Sequence, residues 1–600
     1  MLCFELPFSN IQTIMLVADY ILDYLAKQGI KDVFLMTGGA ISFVVDAFHG
    51  RKDIGYICIA HEQAAAMAAD AYSRLGPNLA ATMVTSGPGA TNLITGICCS
   101  WFDSIPVLHI SGQVNTYEQK GDTGVRQVGF QETDIVSVVK PITKFAAQLD
   151  KPENIRYLLE KATYIAKSGR PGPVLIDIPQ DFQRVEINPK KLKGFTPIEK
   201  GFNNDNTVVN KTEKTIKLLK TAKRPVLLVG FGTRIAKAEK DIIKLALKLK
   251  IPVVTSWSAK DIFIHEFPYL IGQIGVYGHR SANFTVQNSD VLLSIGSRLD
   301  TRQTGGKPQT FARGAKKIIV DIDASEINKK KVIPDIAINT DAKVFIKELL
   351  KQLSKSNVGD HTEWLEKCNT WKIAYPMVTP AYKREDKYVN PYVFSQRLSQ
   401  LLDENAIVIP DDGGHLTWTM QGFEVRGNQR LISAFGNSPM GYALPAAMGA
   451  SLAIGKKQVI CIDGDGSLQI NIQELQTISH YKIPVKIFVL NNDGYGIIKQ
   501  FQELYLGSRF EASGKGYSHP DFIEIAKAYG IKTFDLKTHK EMDKTINAVL
   551  NEKGPVLVNV HINPRQKLIP KLQFGKPIED LSPFLNRKEF LNNMFVEPLD

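Results

Sequence analysis

The stretch CIDGDGSLQI (461–470) and, shortly after it, KIFVLNNDGYG (486–496) decide how this chain folds. The apolar run Val459, Ile460, Cys461, Ile462 reads as a buried strand. It stops at Gly464-Asp465-Gly466, where two glycines let the backbone turn sharply around one acid. Alone, that tripeptide is no more than a turn at a strand end. The second stretch is again a buried-strand pattern, ending in Asn491-Asn492, and NIQELQTISHY (471–481) lies between at helical spacing. A strand, helix, strand unit brings both strand ends to the same edge of a parallel sheet. Asp465 and Asn492 are therefore expected to meet.

The Asp465 carboxylate, the Asn492 amide oxygen and a backbone carbonyl at Gly494 form an oxygen-only set, too small to enclose calcium. It suits magnesium, which keeps an octahedral shell and shares it with phosphate oxygens and water. Ser467 and the backbone N–H groups that open the following helix face the same place and favour an anion. The expected ligand is a magnesium-bound diphosphate.

Working outward, 600 residues are too many for a single core and predict three or four domains. With 44% hydrophobic and 22% charged residues the composition is that of an ordinary soluble protein. The net charge of +12 comes mostly from scattered lysines, without an arginine-rich arm or a nucleic-acid motif; it suits anionic cofactors and excludes nucleic acid as the expected partner. Six cysteines (Cys3, Cys58, Cys98, Cys99, Cys368, Cys461) show no paired spacing and read as buried thiols of a reducing compartment. The first residues lack a basic n-region and a small-residue cleavage site, and no apolar run has membrane-spanning length, so the expectation is a cytoplasmic protein without a membrane partner. Met15 offers an alternative start.

Short apolar runs ending near Gly, Ser or Pro alternate with helical stretches along most of the chain. DVFLMTGGA, AATMVTSGPGATN, IPVLHISGQV and GPVLIDIP are the strands of a first α/β domain (15–187), after an N-terminal extension (1–14). A linker (188–208) leads to a second domain (209–353) with RPVLLVGFG, IPVVTSW, DVLLSIGSR and KKIIVDID. A second linker (354–390) precedes a third (391–563) with AIVIPDDGG, QVICIDGDG, KIFVLNN and PVLVNVHI, and a tail (564–600) has few strand or long-helix signals. The expected fold class is α/β: three doubly wound parallel-sheet domains plus a C-terminal tail.

Gly464-Asp465-Gly466 with Asn491-Asn492 at this spacing resembles the thiamin diphosphate motif of the thiamin-dependent decarboxylases and carboligases. The resemblance implies a glutamate in the first domain that activates the cofactor's aminopyrimidine. Glu62 in CIAHEQAAAMAADAY is the candidate, although a lone acid at a helix start is more often a helix-dipole residue. TSGPGATN matches the family's block beside the cofactor ring and nominates Pro88 and Asn92. DDGGHLTW places Gly414 and His415, and the motif itself Gly464, Gly466 and Ser467, where the family binds diphosphate. NSPMGYALPAAMGA places Met440 where an apolar side chain props the bent cofactor. Gly38, Phe130 and Gln131 complete the implied catalytic set with Glu62, the last two bordering the acceptor; Asp465, Asn492 and Gly494 are the implied metal ligands.

Within that superfamily the likeness is to the catalytic subunit of acetolactate synthase, carried by GRPGPVLIDIP, FQETDIV, GSRLDTRQTGG and VDIDASEINKKK. That subunit surrounds an FAD with the residues matching Arg170, Gly230, Gly278, Gly296, Arg298, Asp300 and Asp321, so FAD is implied here. A glycine-bearing turn after a strand also suits a diphosphate, with an arginine to neutralise it. Two positions depart from the pattern: Gln180 stands where the subunit usually carries lysine, and Phe501 where it carries tryptophan. The tail is similar to tails on thiamin-dependent proteins of surface-sugar pathways.

The function expected is a thiamin diphosphate and Mg2+ dependent carboligase that decarboxylates pyruvate and passes the two-carbon hydroxyethyl unit to a second 2-oxo acid, in branched-chain amino acid biosynthesis. Alternatives are the same donor chemistry on a keto-sugar nucleotide, a 2-oxo acid decarboxylase, a flavin-dependent pyruvate oxidase, and a non-catalytic scaffold. Because the family joins its first and third domains from different chains around one cofactor, a homodimer or homotetramer is expected. Nothing in the sequence indicates a regulatory subunit.

Overall fold

The computed structural model describes residues 14–76, 79–197, 205–355 and 357–599. The expected N-terminal extension up to residue 13, Cys3 and part of the first expected linker lie outside these residues.

Three six-stranded sheets, each wholly parallel, carry the architecture. The first holds Asp32–Leu35, Gly55–Cys58, Ala80–Val84, Val107–Gln113, Phe145–Gln148 and Val174–Pro179, in the order 2-1-3-4-6-5 when strands are counted along the chain. The third repeats that order with Ile407–Pro410, Arg430–Leu431, Val459–Gly464, Val485–Asn491, Lys532–Leu536 and Val556–His561. The middle sheet differs: Pro225–Val229, Val253–Thr255, Leu270–Gln273, Val291–Ile295, Lys316–Asp321 and Ile336–Asn339 stand in the order 3-2-1-4-5-6 of a dinucleotide-binding sheet. Helices cover both faces, so the inner strands are buried on both sides and read as unbroken apolar runs; Ala80–Val84, Pro225–Val229 and Val291–Ile295 are buried at every residue.

The chain gathers into two compact units. One holds the first sheet together with residues 436–457 and 471–483, which in sequence belong to the third domain. There the helix Ala443–Ala453 lies along the helix Glu62–Leu75, so closely that a β-carbon on Gly449 would stand 2.0 Å from the Ala68 carbonyl oxygen. A buried polar network ties the two helices: Arg74 pairs with Asp70 (2.7 Å) and Asp103 (2.8 Å), and Asp70 accepts from Tyr442 Oη (2.5 Å) and Ser100 Oγ (2.8 Å). Asp103 in turn accepts from Gly436 N at 2.8 Å. Arg74→Met is expected to leave both carboxylates buried without their cation and to destabilise this unit by about 3–5 kcal/mol, read as a lower denaturation midpoint. An unchanged midpoint would mean that the network carries no net stability.

The other unit holds the middle and third sheets and the tail. The stretch expected to be a connector contains the helix Thr362–Ala374, whose Trp371 packs on Phe284 of the helix Arg280–Gln287. That second helix also anchors the tail. Asn283 Nδ2 donates to Ile578 O (2.7 Å), Arg280 to Leu581 O and Pro583 O, and Gln287 Nε2 to Glu579 Oε2 (2.6 Å). Glu579 is fully buried and paired with Arg313 at 2.7 Å. The tail, whose only helix among the described residues is Arg587–Asn592, is thus built into the middle domain. The five described cysteines are free thiols, Cys58 being exposed, and no helix among the described residues is long and apolar enough to cross a membrane.

Candidate active site

In the second unit the third sheet has its switch point between Ile407–Pro410 and Val459–Gly464, where doubly wound sheets take ligands. Val459–Gly464 ends against His415: a β-carbon on Gly464 would lie 2.7 Å from that ring. Asp465, 2% exposed, follows. Its Oδ2 accepts from Gly494 N and from Tyr517 Oη, both at 2.7 Å. Its Oδ1 faces Asn492, and the Asn492 side-chain oxygen lies 3.1 Å from Asp465 Oδ1 and 3.1 Å from the Gly494 carbonyl oxygen. Neighbouring oxygens on an octahedron around a cation at about 2.1 Å stand about 3.0 Å apart, so three acceptors at this spacing fit magnesium. Without a cation the amide turned over, donating to both oxygens, is the satisfied orientation; a bound cation would select the oxygen-inward one. The turn depends on Gly494, whose φ of 145° suits glycine alone and where a β-carbon would meet the Ser513 carbonyl at 2.7 Å.

Beside this trio, burial pushes the His415 imidazole down to about 3, so the ring is neutral. Its Nε2 is 3.4 Å from Ser467 Oγ, which donates to Asp463 Oδ1 at 2.5 Å. Burial raises the Asp463 carboxyl to about 7, and its Oδ2 has no hydrogen-bond partner. Ligand atoms of Asp411, His415 and Asp463 lie within 4.8 Å of one another. That cluster includes an imidazole nitrogen, a softer donor than the oxygen trio, and suits magnesium less well.

In the first unit the equivalent switch point lies between Asp32–Leu35 and Ala80–Val84. The loops after these strands touch, because a β-carbon on Gly38 would stand 2.6 Å from Thr85 Cβ. Glu62 opens the helix Glu62–Leu75 behind its N-cap His61, whose ring accepts from Gln63 N at 3.1 Å. The Glu62 side chain is turned inward and is 5% exposed. Asn92 Nδ2 donates to its Oε2 at 2.9 Å, and Gly89, after Pro88, is so close that a β-carbon would lie 3.3 Å from Oε1. Glu474, fully buried and held up in pKa by that burial, accepts from Ala60 N at 3.1 Å and fixes the approach to the helix. Gln131 reaches Gly87 through a left-handed turn (φ 63°), with Phe130 beside it 85% exposed. Gln180 Nε2 donates to Gly39 O at 2.8 Å. Half-buried Met440 precedes Gly441, whose carbonyl accepts from Asn471 at 2.7 Å.

Residues 15–138, 212–349 and 411–560 match, in order, the N-terminal TPP binding domain, the central domain and the C-terminal TPP binding domain of thiamine pyrophosphate enzymes. The chain is 36% identical to the acetolactate synthase large subunit of Cyanidium caldarium, over 93% of this chain and 94% of that one. It is also 36% identical to the probable acetolactate synthase large subunit of Methanocaldococcus jannaschii, over 92% of each, and 32% identical to that of Buchnera aphidicola, over 95% and 99%. The chain belongs to the thiamine pyrophosphate enzyme family. Thiamin diphosphate is its cofactor.

The remaining expected residues fall elsewhere. Gly230 and Gly296 directly follow strands one and four of the middle sheet, at its switch point, and a β-carbon on Gly230 would stand 2.2 Å from Gly296 O. Arg298 pairs with Asp300 at 3.1 Å, Asp321 accepts from Asp323 N at 2.9 Å, and Gly278 packs on Gly275. These six lie towards the carboxyl ends of one sheet, the edge at which open α/β sheets take ligands. Arg170 lies in the first unit, where Nε donates to Ser104 Oγ at 2.8 Å. Sequence reasoning missed Tyr517, Asp463 and Glu474. Tyr517 comes from a stretch without apolar periodicity, and the two acids sit inside motifs whose better-known members drew the attention. Phe501 stands 5.7 Å from Phe574 of the tail, which stacks on Tyr505 at 4.6 Å.

Proposed function

We propose that this chain is an acetolactate-synthase-like carboligase, which removes carbon dioxide from pyruvate and joins the remaining two carbons to a second 2-oxo acid. The observation that carries the reading is the buried Glu62 carboxyl held by Asn92. Thiamin diphosphate, when bound, supplies the nucleophilic carbon for both halves of the reaction. Glu62 would hold and return a proton at the aminopyrimidine ring, with Asn92 keeping the carboxyl turned to it. Asp465, Asn492 and Gly494 would hold Mg2+ on the diphosphate, and neutral His415 with Ser467 and the backbone at Gly414, Gly464 and Gly466 would supply donors to it. Met440 would support the bent cofactor, with Gly38, Phe130 and Gln131 around the acceptor.

FAD is proposed at the middle sheet, on the support of the 3-2-1-4-5-6 order and the contact of Gly230 with Gly296. A homodimer or homotetramer is proposed too; exposed Tyr117, Val125, Val128 and Phe130 offer apolar surface for a second copy. The acetolactate synthase relatives, each matched over nearly the whole chain, disfavour a keto-sugar acceptor and a scaffold role.

Incubation of the pure protein with pyruvate, thiamin diphosphate and Mg2+ is expected to yield acetolactate, identified by mass from labelled pyruvate. Absence of acetolactate and of any product with an added acceptor would overturn the reading.

A further inference from the structure

A cavity of about 180 Å3 opens at the far end of the helix Gly414–Gly422, away from His415, lined also by the strand Leu270–Gln273 and the helix Thr362–Ala374. That volume holds about six waters, or an organic molecule somewhat larger than benzene, which an apolar cavity of about 150 Å3 accepts. Gln273 lines it, is 1% exposed, and has no hydrogen-bond partner on either its Nε2 or its Oε1. A buried amide with both ends unmet is costly unless a bound group meets them. It asks for one acceptor and one donor.

The charges in the wall are unbalanced towards cations. Lys260 Nζ donates to Met420 O (2.6 Å) and Lys372 Nζ to Leu270 O (2.8 Å), which accounts for one of three protons on each ammonium. Burial pushes Lys260 down to about 7 and lowers Lys372, outweighing the pull of Glu424 on both and of Glu266 on Lys372. The carboxylate in the lining, Glu424, accepts from Gln396 Nε2 (2.6 Å) and Gln400 Nε2 (3.3 Å) and stands 3.7 Å from His265 Nε2. His279 Nε2 is 3.2 Å from Gln421 O, and burial pushes it down to about 3, so it brings no charge. Phe263, Met377, Val378 and Phe423 make the rest of the wall apolar. A multiply charged phosphate would meet Glu424 and these apolar groups. A single negative charge on a short carbon chain meets the ammonium groups and the apolar wall together.

We propose that this cavity is a binding site, distinct from the thiamin site, for a small aliphatic hydroxy acid: its carboxylate faces Lys372 and Lys260, its hydroxyl pairs with Gln273, and its carbon chain lies against Phe263, Met377, Val378 and Phe423. The probes are 3,3,3-trifluoro-2-hydroxypropanoate, 3,3,3-trifluoropropanoate and 1,1,1-trifluoro-2-propanol. Each is titrated by fluorine NMR into the enzyme loaded with Mg2+ and thiamin diphosphate, with pyruvate left out so that no acetolactate, itself a hydroxy acid, forms during the titration; binding at the cavity is told from binding at the thiamin site by the cavity variants. The hydroxy acid should bind best, the acid without a hydroxyl several-fold more weakly, and the alcohol not at all. Lys372→Met should weaken both acids by roughly tenfold or more, the worth of a charged hydrogen bond. Gln273→Met should remove the difference between them. Gln273→Glu keeps the shape but adds a repelling charge, and should abolish binding of both, so a misfolded methionine variant does not leave the question open. Equal binding of alcohol and acids, or affinities unmoved by Lys372→Met and Gln273→Glu, would overturn the proposal.

Discussion

Glu62→Gln is expected to lower turnover by roughly 10²–10⁴-fold, the usual worth of a positioned acid or base, while thiamin diphosphate still binds. Glutamine has nearly the same shape, and Asn92 Nδ2, now 2.9 Å from the carboxylate, would still find an oxygen to donate to. What glutamine lacks is an exchangeable proton on that oxygen. If Glu62 were present only to favour the start of its helix, the substitution would cost a fraction of a kcal/mol in stability and leave turnover nearly intact. The burial of the side chain speaks against that role, since an acid serving a helix dipole can do so from the surface without the cost of desolvation, whereas Glu62 is turned inward and is 5% exposed. Steady-state kinetics at saturating cofactor, beside a calorimetric titration of cofactor binding, separates the two. An active Glu62→Gln enzyme would remove the centre of the mechanism.

Legibility of the fold followed the position of strands within their sheets. The twelve strands named from sequence are the four inner strands of each sheet, where helices on both faces demand continuous apolar runs such as Pro225–Val229. The six strands of these sheets not named, Gly55–Cys58, Phe145–Gln148, Leu270–Gln273, Ile336–Asn339, Arg430–Leu431 and Lys532–Leu536, are their six edges; the two-residue pair Met15–Leu16 and Glu186–Ile187 went unnamed too. They are short and part exposed, so KTFDL and FAAQ carry no pattern that separates them from loop. The tail was opaque for a related reason: it is held by side chains reaching out from the middle domain, such as Arg313 to Glu579, and by few elements of its own. At the site, glycines and strand ends fixed where Asp465 and Asn492 would stand, whereas Glu62 was nominated by the family resemblance, its own position at a helix start reading as a dipole residue. Tyr517 was not legible, since its hydrogen bond to Asp465 spans more than fifty residues with no periodicity between.

Asp465→Ala should show the opposite kinetic split from Glu62→Gln. It removes one of the two oxygens that lie 3.1 Å from the Asn492 side-chain oxygen, and with it the only formal negative charge of the set. Mg2+ held by one amide and one carbonyl loses the strongest of its attractions from the protein. Even the loss of a group that merely orients a ligand costs 10–100-fold in metal affinity, so removing the ligand should cost at least about a hundredfold. The Mg2+–diphosphate complex is then retained mainly by donors to the diphosphate, and turnover is expected to return in part at high Mg2+ and cofactor, since Glu62 is untouched. Alanine also frees Gly494 N and Tyr517 Oη, each now 2.7 Å from Asp465 Oδ2, so the turn at Gly494 loses its tether. Asp465→Asn separates that effect from the charge: it keeps an oxygen for the tether but not the charge, so cofactor affinity should fall in Asn as well as in Ala. Titration of each variant with thiamin diphosphate at fixed Mg2+, and with Mg2+ at fixed cofactor, reads both constants. Wild-type affinities in Asp465→Ala with turnover lost would take the metal away from this trio and return it to the cluster at Asp411, His415 and Asp463.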